Sequence, residues 1–84
     1  MLYPWTSRAR LERLKAGLEE ELDRLRGEYS EEKRKVKGME KELYWGKVSL
    51  EEMKRERKLF LRIQRRIHRL ERRLAAVERR LGGG

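Results

Sequence analysis

The chain has 84 residues, of which 46% are charged, 7% are aromatic and none is cysteine, and its formal net charge is +9. This composition excludes a disulfide framework, a cysteine nucleophile and a thiolate metal site, and the length allows one domain at most. So many charged residues would favour disorder, but the apolar residues recur at spacings of three and four, which predicts long helices instead.

Residues 1–7 are predicted to form an apolar arm ahead of the first helix. Residues 1–5 are apolar and include the only proline, and the hydroxyls of Thr6 and Ser7 can cap a helix. Large apolar side chains are costly to leave in water, so we expect the arm to pack against the bundle or a neighbouring subunit, with a frayed terminus as the alternative. The arm lacks the pattern of a signal peptide, so the expected location is the cell interior or a nucleoprotein particle such as a virion.

The first helix is predicted from about residue 8 to about residue 45. Its charges nearly balance, with eleven bases and ten acids. Its apolar positions form one heptad seam, interrupted by Glu32. The seam residues are Leu11, Leu18, Leu22, Leu25, Tyr29, Val36, Met39 and Leu43.

A turn is predicted at residues 46–49. Gly46 can adopt the left-handed conformation that ends a helix. Ser49 and Glu52 form a capping box, in which the Ser49 hydroxyl accepts from the Glu52 N–H and the Glu52 side chain returns to the Ser49 N–H. A connection this short makes consecutive helices antiparallel.

The second helix is predicted from residue 50 to about residue 81, followed by a flexible glycine tail at 82–84. Its seam holds Phe60, Ile63, Ile67, Leu70, Leu74, Val77 and Leu81, and also Glu56. Aligning the two seams brings Leu25 near Ile67. The same alignment pairs Glu21 with Arg73, Glu28 with Arg66, Glu40 with Arg57, and Arg26 with Glu71. We expect the seam residues Glu32 and Glu56 each to snorkel or to pair with a neighbouring Arg or Lys.

The predicted fold class is therefore all-α. Two long helices form an antiparallel, coiled-coil-like hairpin, and dimerisation or higher assembly into a helical bundle completes a core that is small for one copy. The residues show none of the usual catalytic, phosphate-loop or metal-binding patterns, and His68 is predicted to be a solvated surface residue. We expect no enzymatic activity, no metal, no cofactor and no small-molecule substrate.

The most informative feature is the positive charge of the second helix. Between Lys54 and Arg80 the sequence has twelve Lys or Arg and three Glu, a difference of +9. The cations fall in three rows with a seven-residue repeat. We call ten of them the cationic face: Arg55, Lys58, Arg62, Arg65, Arg66, Arg69, Arg72, Arg73, Arg79 and Arg80.

The cationic face predicts binding to the phosphates of DNA or RNA by a structural protein that coats or packages nucleic acid, largely independently of sequence. The alternative is an adaptor or scaffold whose basic face docks on an acidic protein. A membrane surface is a weaker alternative, because the apolar seam is needed by the first helix. DNA versus RNA, duplex versus single strand and cellular versus viral origin stay open. The excess of arginine over lysine favours a thermophilic source or GC-rich coding.

Overall fold

The computed structural model describes residues 4–82, and the side chains of residues 8–82. It contains two α-helices, α1 (Pro4–Tyr44) and α2 (Leu50–Gly82). The first begins earlier than expected, at a proline whose missing N–H costs nothing in the first turn of a helix. Residues 1–3 and 83–84, and the packing expected of the arm side chains, lie outside the described part.

The turn between the helices is closed by local hydrogen bonds. Gly46 has φ of +75°, the left-handed conformation expected of it. The Lys47 N–H donates to the Glu42 carbonyl at 2.8 Å, and the Glu52 N–H donates to the Ser49 hydroxyl at 3.2 Å. The Ser49 half of the predicted capping box is therefore present, and α2 starts at Leu50 because Ser49 satisfies a backbone donor of its first turn.

The core is a single layer of side chains between the two helices. Leu22 and Met53 are the most deeply buried, with 1% and 2% of their surface exposed. The Tyr29 and Phe60 rings stack across the seam with centroids 4.8 Å apart. The buried apolar residues are Leu18, Leu22, Leu25, Val36, Met53, Ile67, Leu70 and Val77. The prediction of an all-α helical hairpin is confirmed, whereas assembly into a larger bundle stays a prediction.

Ion pairs along the seam test the predicted register. Arg26 lies 3.6 Å from Glu71 and Arg57 lies 3.5 Å from Glu40, as expected. The expected pairing of Glu21 with Arg73 is wrong, because Glu21 lies 2.7 Å from Arg66.

The error has a geometric cause. Glu21 and Arg66 each come directly before a seam residue in the sequence. Both residues of each confirmed pair, such as Arg26 and Glu71, come directly after a seam residue instead. Facing positions on the two edges of an antiparallel hairpin are therefore offset in opposite directions. A single alignment of the seams places only one edge correctly. With Arg66 next to Glu21, the pair expected between Glu28 and Arg66 is not among the ion pairs of the described residues.

The hairpin is a narrow rod with extents of 64 × 18 × 16 Å. Within residues 4–82, neither helix has an apolar stretch long enough to cross a membrane.

Candidate nucleic-acid interface

All ten residues of the cationic face lie on α2, and all ten are exposed. They are exposed because the opposite side of the helix carries the seam, where Met53, Ile67, Leu70 and Val77 are buried against α1. With a repeat of seven residues per two turns, adjacent rows stand about 50° apart, so the rows that contain Lys58, Arg55 and Arg66 lie within an arc of about 100°. The structure thus brings the predicted residues together on one side of the rod.

One of the ten cations is neutralised within the hairpin. The Arg66 guanidinium donates to Glu21 Oε1 at 2.7 Å, and Arg24 approaches the same oxygen at 3.8 Å. Among the described side chains, the other nine cations have no carboxylate oxygen within 4.0 Å. Their positive charge is therefore available to an external anion.

The middle of the cationic face forms an open groove of about 770 Å³. Leu70, which is 6% exposed, contributes to its lining, and Leu61, which is 47% exposed, forms part of its rim. Glu21 is the acid at its edge. The cations that line it are Lys58, Arg62, Arg65, Arg66, Arg69 and Arg73. Guanidinium groups in this arrangement can each donate two hydrogen bonds to one phosphate.

Beside the cationic face runs a less charged flank. Leu61, His68 and Ala75 are exposed there and Gln64 is half-buried. His68 is a surface residue, as predicted, and its Nδ1 lies 3.6 Å from Glu71 Oε1. This flank adds an apolar and polar strip to one edge of the cationic face.

The two seam carboxylates form a cluster that sequence reasoning described only in part. Lys35 Nζ lies 3.2 Å from Glu56 Oε1, so the expected cation is present for Glu56. Glu32 instead faces Glu56. Glu32 Oε1 and Glu56 Oε2 are buried, and neither has a hydrogen-bond partner within the described part.

The proximity of these carboxyl groups shifts their pKa values in opposite directions. Two ionised carboxylates have no proton to share, but once Glu32 is protonated its O–H can donate to Glu56; this hydrogen bond raises the pKa of Glu32, and burial and the Glu56 charge act in the same direction. The same hydrogen bond lowers the pKa of Glu56, and Lys35 lowers it further. The two groups therefore tend to share one proton. Their position in the seam, away from the cationic face, indicates a role in the hairpin itself.

The exposed aromatic residues that the structure describes lie at the turn end of the rod. Tyr44 and Trp45 are 83% and 73% exposed, and their rings meet edge to face with centroids 5.4 Å apart. Lys37, Glu40 and Lys41 complete a shallow hollow of about 430 Å³ beside them. The sequence showed that these rings are separate from the basic rows, but it did not show how exposed they are.

The fold and the site define a small all-α helical hairpin that presents an exposed cationic face on its second helix. Comparison with known proteins finds no matching family model, no matching curated protein and no matching solved structure.

Proposed function

We propose that this protein is a non-enzymatic, nucleic-acid-binding structural protein that coats or packages DNA or RNA through the cationic face. The observation that carries this proposal is the group of nine exposed cations on one side of α2 that have no acidic partner among the described side chains. By contrast, α1 carries nearly equal numbers of acids and bases. The asymmetry gives the rod one side that attracts a polyanion.

Affinity would come mainly from the phosphates. Each cation that neutralises a phosphate releases condensed counterions, which supplies a favourable free energy that falls as salt rises. Arg predominates over Lys on this face, and its planar guanidinium matches the geometry of phosphate oxygens. Base-edge readout typically uses Asn and Gln as well as Arg. The chain has no Asn and only one Gln, Gln64. We therefore propose binding that is largely independent of sequence.

We further propose that copies of the hairpin associate. Among the described side chains the core is one layer of eight buried apolar residues, which is small for an independent domain. The flank that includes Leu61 and Ala75 offers exposed surface next to the cationic face. Packing between such flanks would place several cationic faces along one nucleic acid.

Charge reversal on the cationic face tests the proposal. The variant replaces Arg62, Arg65, Arg69 and Arg72 with Glu. A matched control makes the same change of charge on exposed residues of α1: Arg10, Arg13, Arg34 and Lys37 to Glu. None of these eight residues forms an ion pair with another described residue, so both variants should keep the helical circular dichroism of the native chain.

We expect the α2 variant to lose binding to random-sequence nucleic acid at physiological salt, and the α1 control to keep most of it. Equal loss in the two variants would mean that net charge alone drives binding and that the cationic face is not a site. Unchanged binding in the α2 variant would refute the proposal. If nucleic acid is not bound at all while an acidic protein is bound through the same residues, the adaptor function is correct instead.

A further inference from the structure

We infer that the cationic face takes double-stranded nucleic acid, with α2 lying alongside the duplex over the length of about one helical turn. This inference rests on the proposed function and specifies its ligand. Three observations carry it: the width of the face, its length, and the placement of the aromatic side chains.

The width of the face matches a groove better than a single line of phosphates. The cations form three parallel rows along the helix. The rows start at Lys58, Arg55 and Arg66, and they occupy neighbouring heptad positions on the helix surface. On a helix about 10–12 Å in diameter, an arc of about 100° has a chord of about 8–9 Å. This lies between the widths of the minor and major grooves of B-form DNA, about 6 and 12 Å.

Where α2 passes over a groove, the outer rows face phosphates on its two rims, and the middle row points between them. A single strand offers one line of phosphates and would engage one row at a time. Within the described part of the chain, all three rows keep cations without an acidic partner, including Arg65, Arg62 and Arg73. This arrangement suits a ligand with two phosphate backbones.

The length of the face sets the size of the binding site. Arg55 and Arg80 are separated by about 37 Å along the helix, at 1.5 Å per residue. Base pairs of duplex DNA are about 3.4 Å apart along the duplex axis, so a face lying parallel to that axis covers about 11 base pairs, close to one turn.

The hairpin is too thick to enter a groove completely. Its cross-section is 18 × 16 Å, compared with a major-groove width of about 12 Å. The second helix α2 can rest on the groove rims, while α1, packed on its opposite side, stays outside. This geometry favours contacts to the backbone rather than to base edges.

The described aromatic rings lie away from the cationic face. Proteins that bind single strands commonly stack bases on aromatic side chains. Here Tyr29 and Phe60 stack on each other within the seam, and Tyr44 and Trp45 lie at the turn. The described rings therefore add no stacking surface to the charged rows.

Binding measured against strand type and length tests the inference. The probes are DNA duplexes and RNA duplexes of 6, 8, 11, 14 and 20 base pairs, and the corresponding single strands, all at one salt concentration. We expect duplex affinity to rise steeply with length up to about 11 base pairs, and beyond that length only in proportion to the number of overlapping binding sites. We expect the 20-nucleotide single strand to bind at least about tenfold more weakly than the 20-base-pair duplex. Comparison of the DNA and RNA duplexes identifies the preferred form.

Single strands that bind as tightly as duplexes would overturn the inference and leave the proposed function standing. Absence of binding to every probe at physiological salt would overturn both. A Trp45→Ala variant serves as a control, because its removal should leave duplex affinity unchanged. A loss of affinity of about tenfold or more in this variant would show that the turn, and not the groove-sized face, contacts the nucleic acid.

Discussion

Replacing Glu32 with Leu should stabilise the hairpin at neutral pH. Glu32 occupies a half-buried seam position, where it faces Glu56 and has a buried oxygen without a hydrogen-bond partner in the described part. The substitution removes one of two opposed carboxylates and keeps the 3.2 Å ion pair between Lys35 and Glu56. It also continues the apolar seam of α1.

The size of the effect follows from the burial. Leu and Glu have similar helix propensities, so the backbone contributes little to the difference. Complete burial of a Leu side chain contributes about 1.5–3 kcal/mol, so a half-buried position contributes about 1 kcal/mol. Relief of the repulsion with Glu56 adds to this value. We expect the free energy of unfolding to rise by about 1–2 kcal/mol, and the Tm to rise by on the order of 5–15 °C.

The gain should shrink as pH falls. The pKa of Glu32 in the folded chain is raised above its ordinary value of 4.5. The stability that protonated Glu32 contributes is therefore fully present below pH 4.5 and is lost as pH rises through the folded pKa. The pKa of Glu56 is lowered, so its contribution is present above 4.5 and is lost as pH falls through its folded pKa. The native chain should therefore be most stable, relative to the Leu variant, in mild acid where the pair shares one proton.

Thermal and urea unfolding, followed by circular dichroism at pH 7 and near pH 4.5, measure both effects. Glu31→Leu is the matched control, because Glu31 is the exposed neighbour of Glu32 and its change should alter stability by less than about 0.5 kcal/mol. A Glu32→Leu variant that is less stable than the native chain at pH 7 would refute the reasoning. It would mean that Glu32 contributes a favourable interaction with Lys35.

Three further predictions concern the fold and are read out by thermal unfolding. Gly46→Ala should destabilise the chain by about 1–2 kcal/mol, because Gly46 has φ of +75°. Gly38→Ala should stabilise it by about 1 kcal/mol, because Gly38 lies inside α1 and an added Cβ would meet open space. Changes of the same sign in the two variants would contradict this prediction. Leu22→Ala should cost about 2–5 kcal/mol, and Leu14→Ala, at a side chain that is 44% exposed, should cost much less; similar losses would count against the described core. Ser49→Ala should cost about 1 kcal/mol through loss of the cap of α2, and no change would show that the cap is dispensable.

Much of the fold could be predicted from the sequence because its signals are local and repeated. The heptad seams identified both helices, and Gly46 and Ser49 identified the turn before any contact was known. The start of α1 was predicted less well, because a proline is compatible both with an arm and with the first turn of a helix. The pairing of Glu21 with Arg66 was missed because it depends on which edge of the seam each residue occupies.

The position of the cationic face could also be predicted, since exposure on α2 follows directly from burial of its seam. What the sequence could not show is which cations remain unpaired. Arg66 and Arg73 occupy the same row, yet Arg66 meets Glu21 and Arg73 meets no acid among the described residues. The facing carboxyl groups of Glu32 and Glu56 were likewise hidden, because the seam pattern gives a residue's depth but not its partner across the interface.

The most direct test of the central claim is a salt titration of binding to a random-sequence duplex, repeated with Arg65→Gln and with the α1 control Arg34→Gln. Nine cations of the cationic face are unpaired among the described residues, and neutralisation of about five to nine phosphates by them predicts that log affinity falls with log salt at a slope between about −4.5 and −8. Arg65→Gln should make this slope shallower by about 1, and Arg34→Gln should leave it unchanged. A flat dependence on salt, or an equal effect of the two substitutions, would contradict the account.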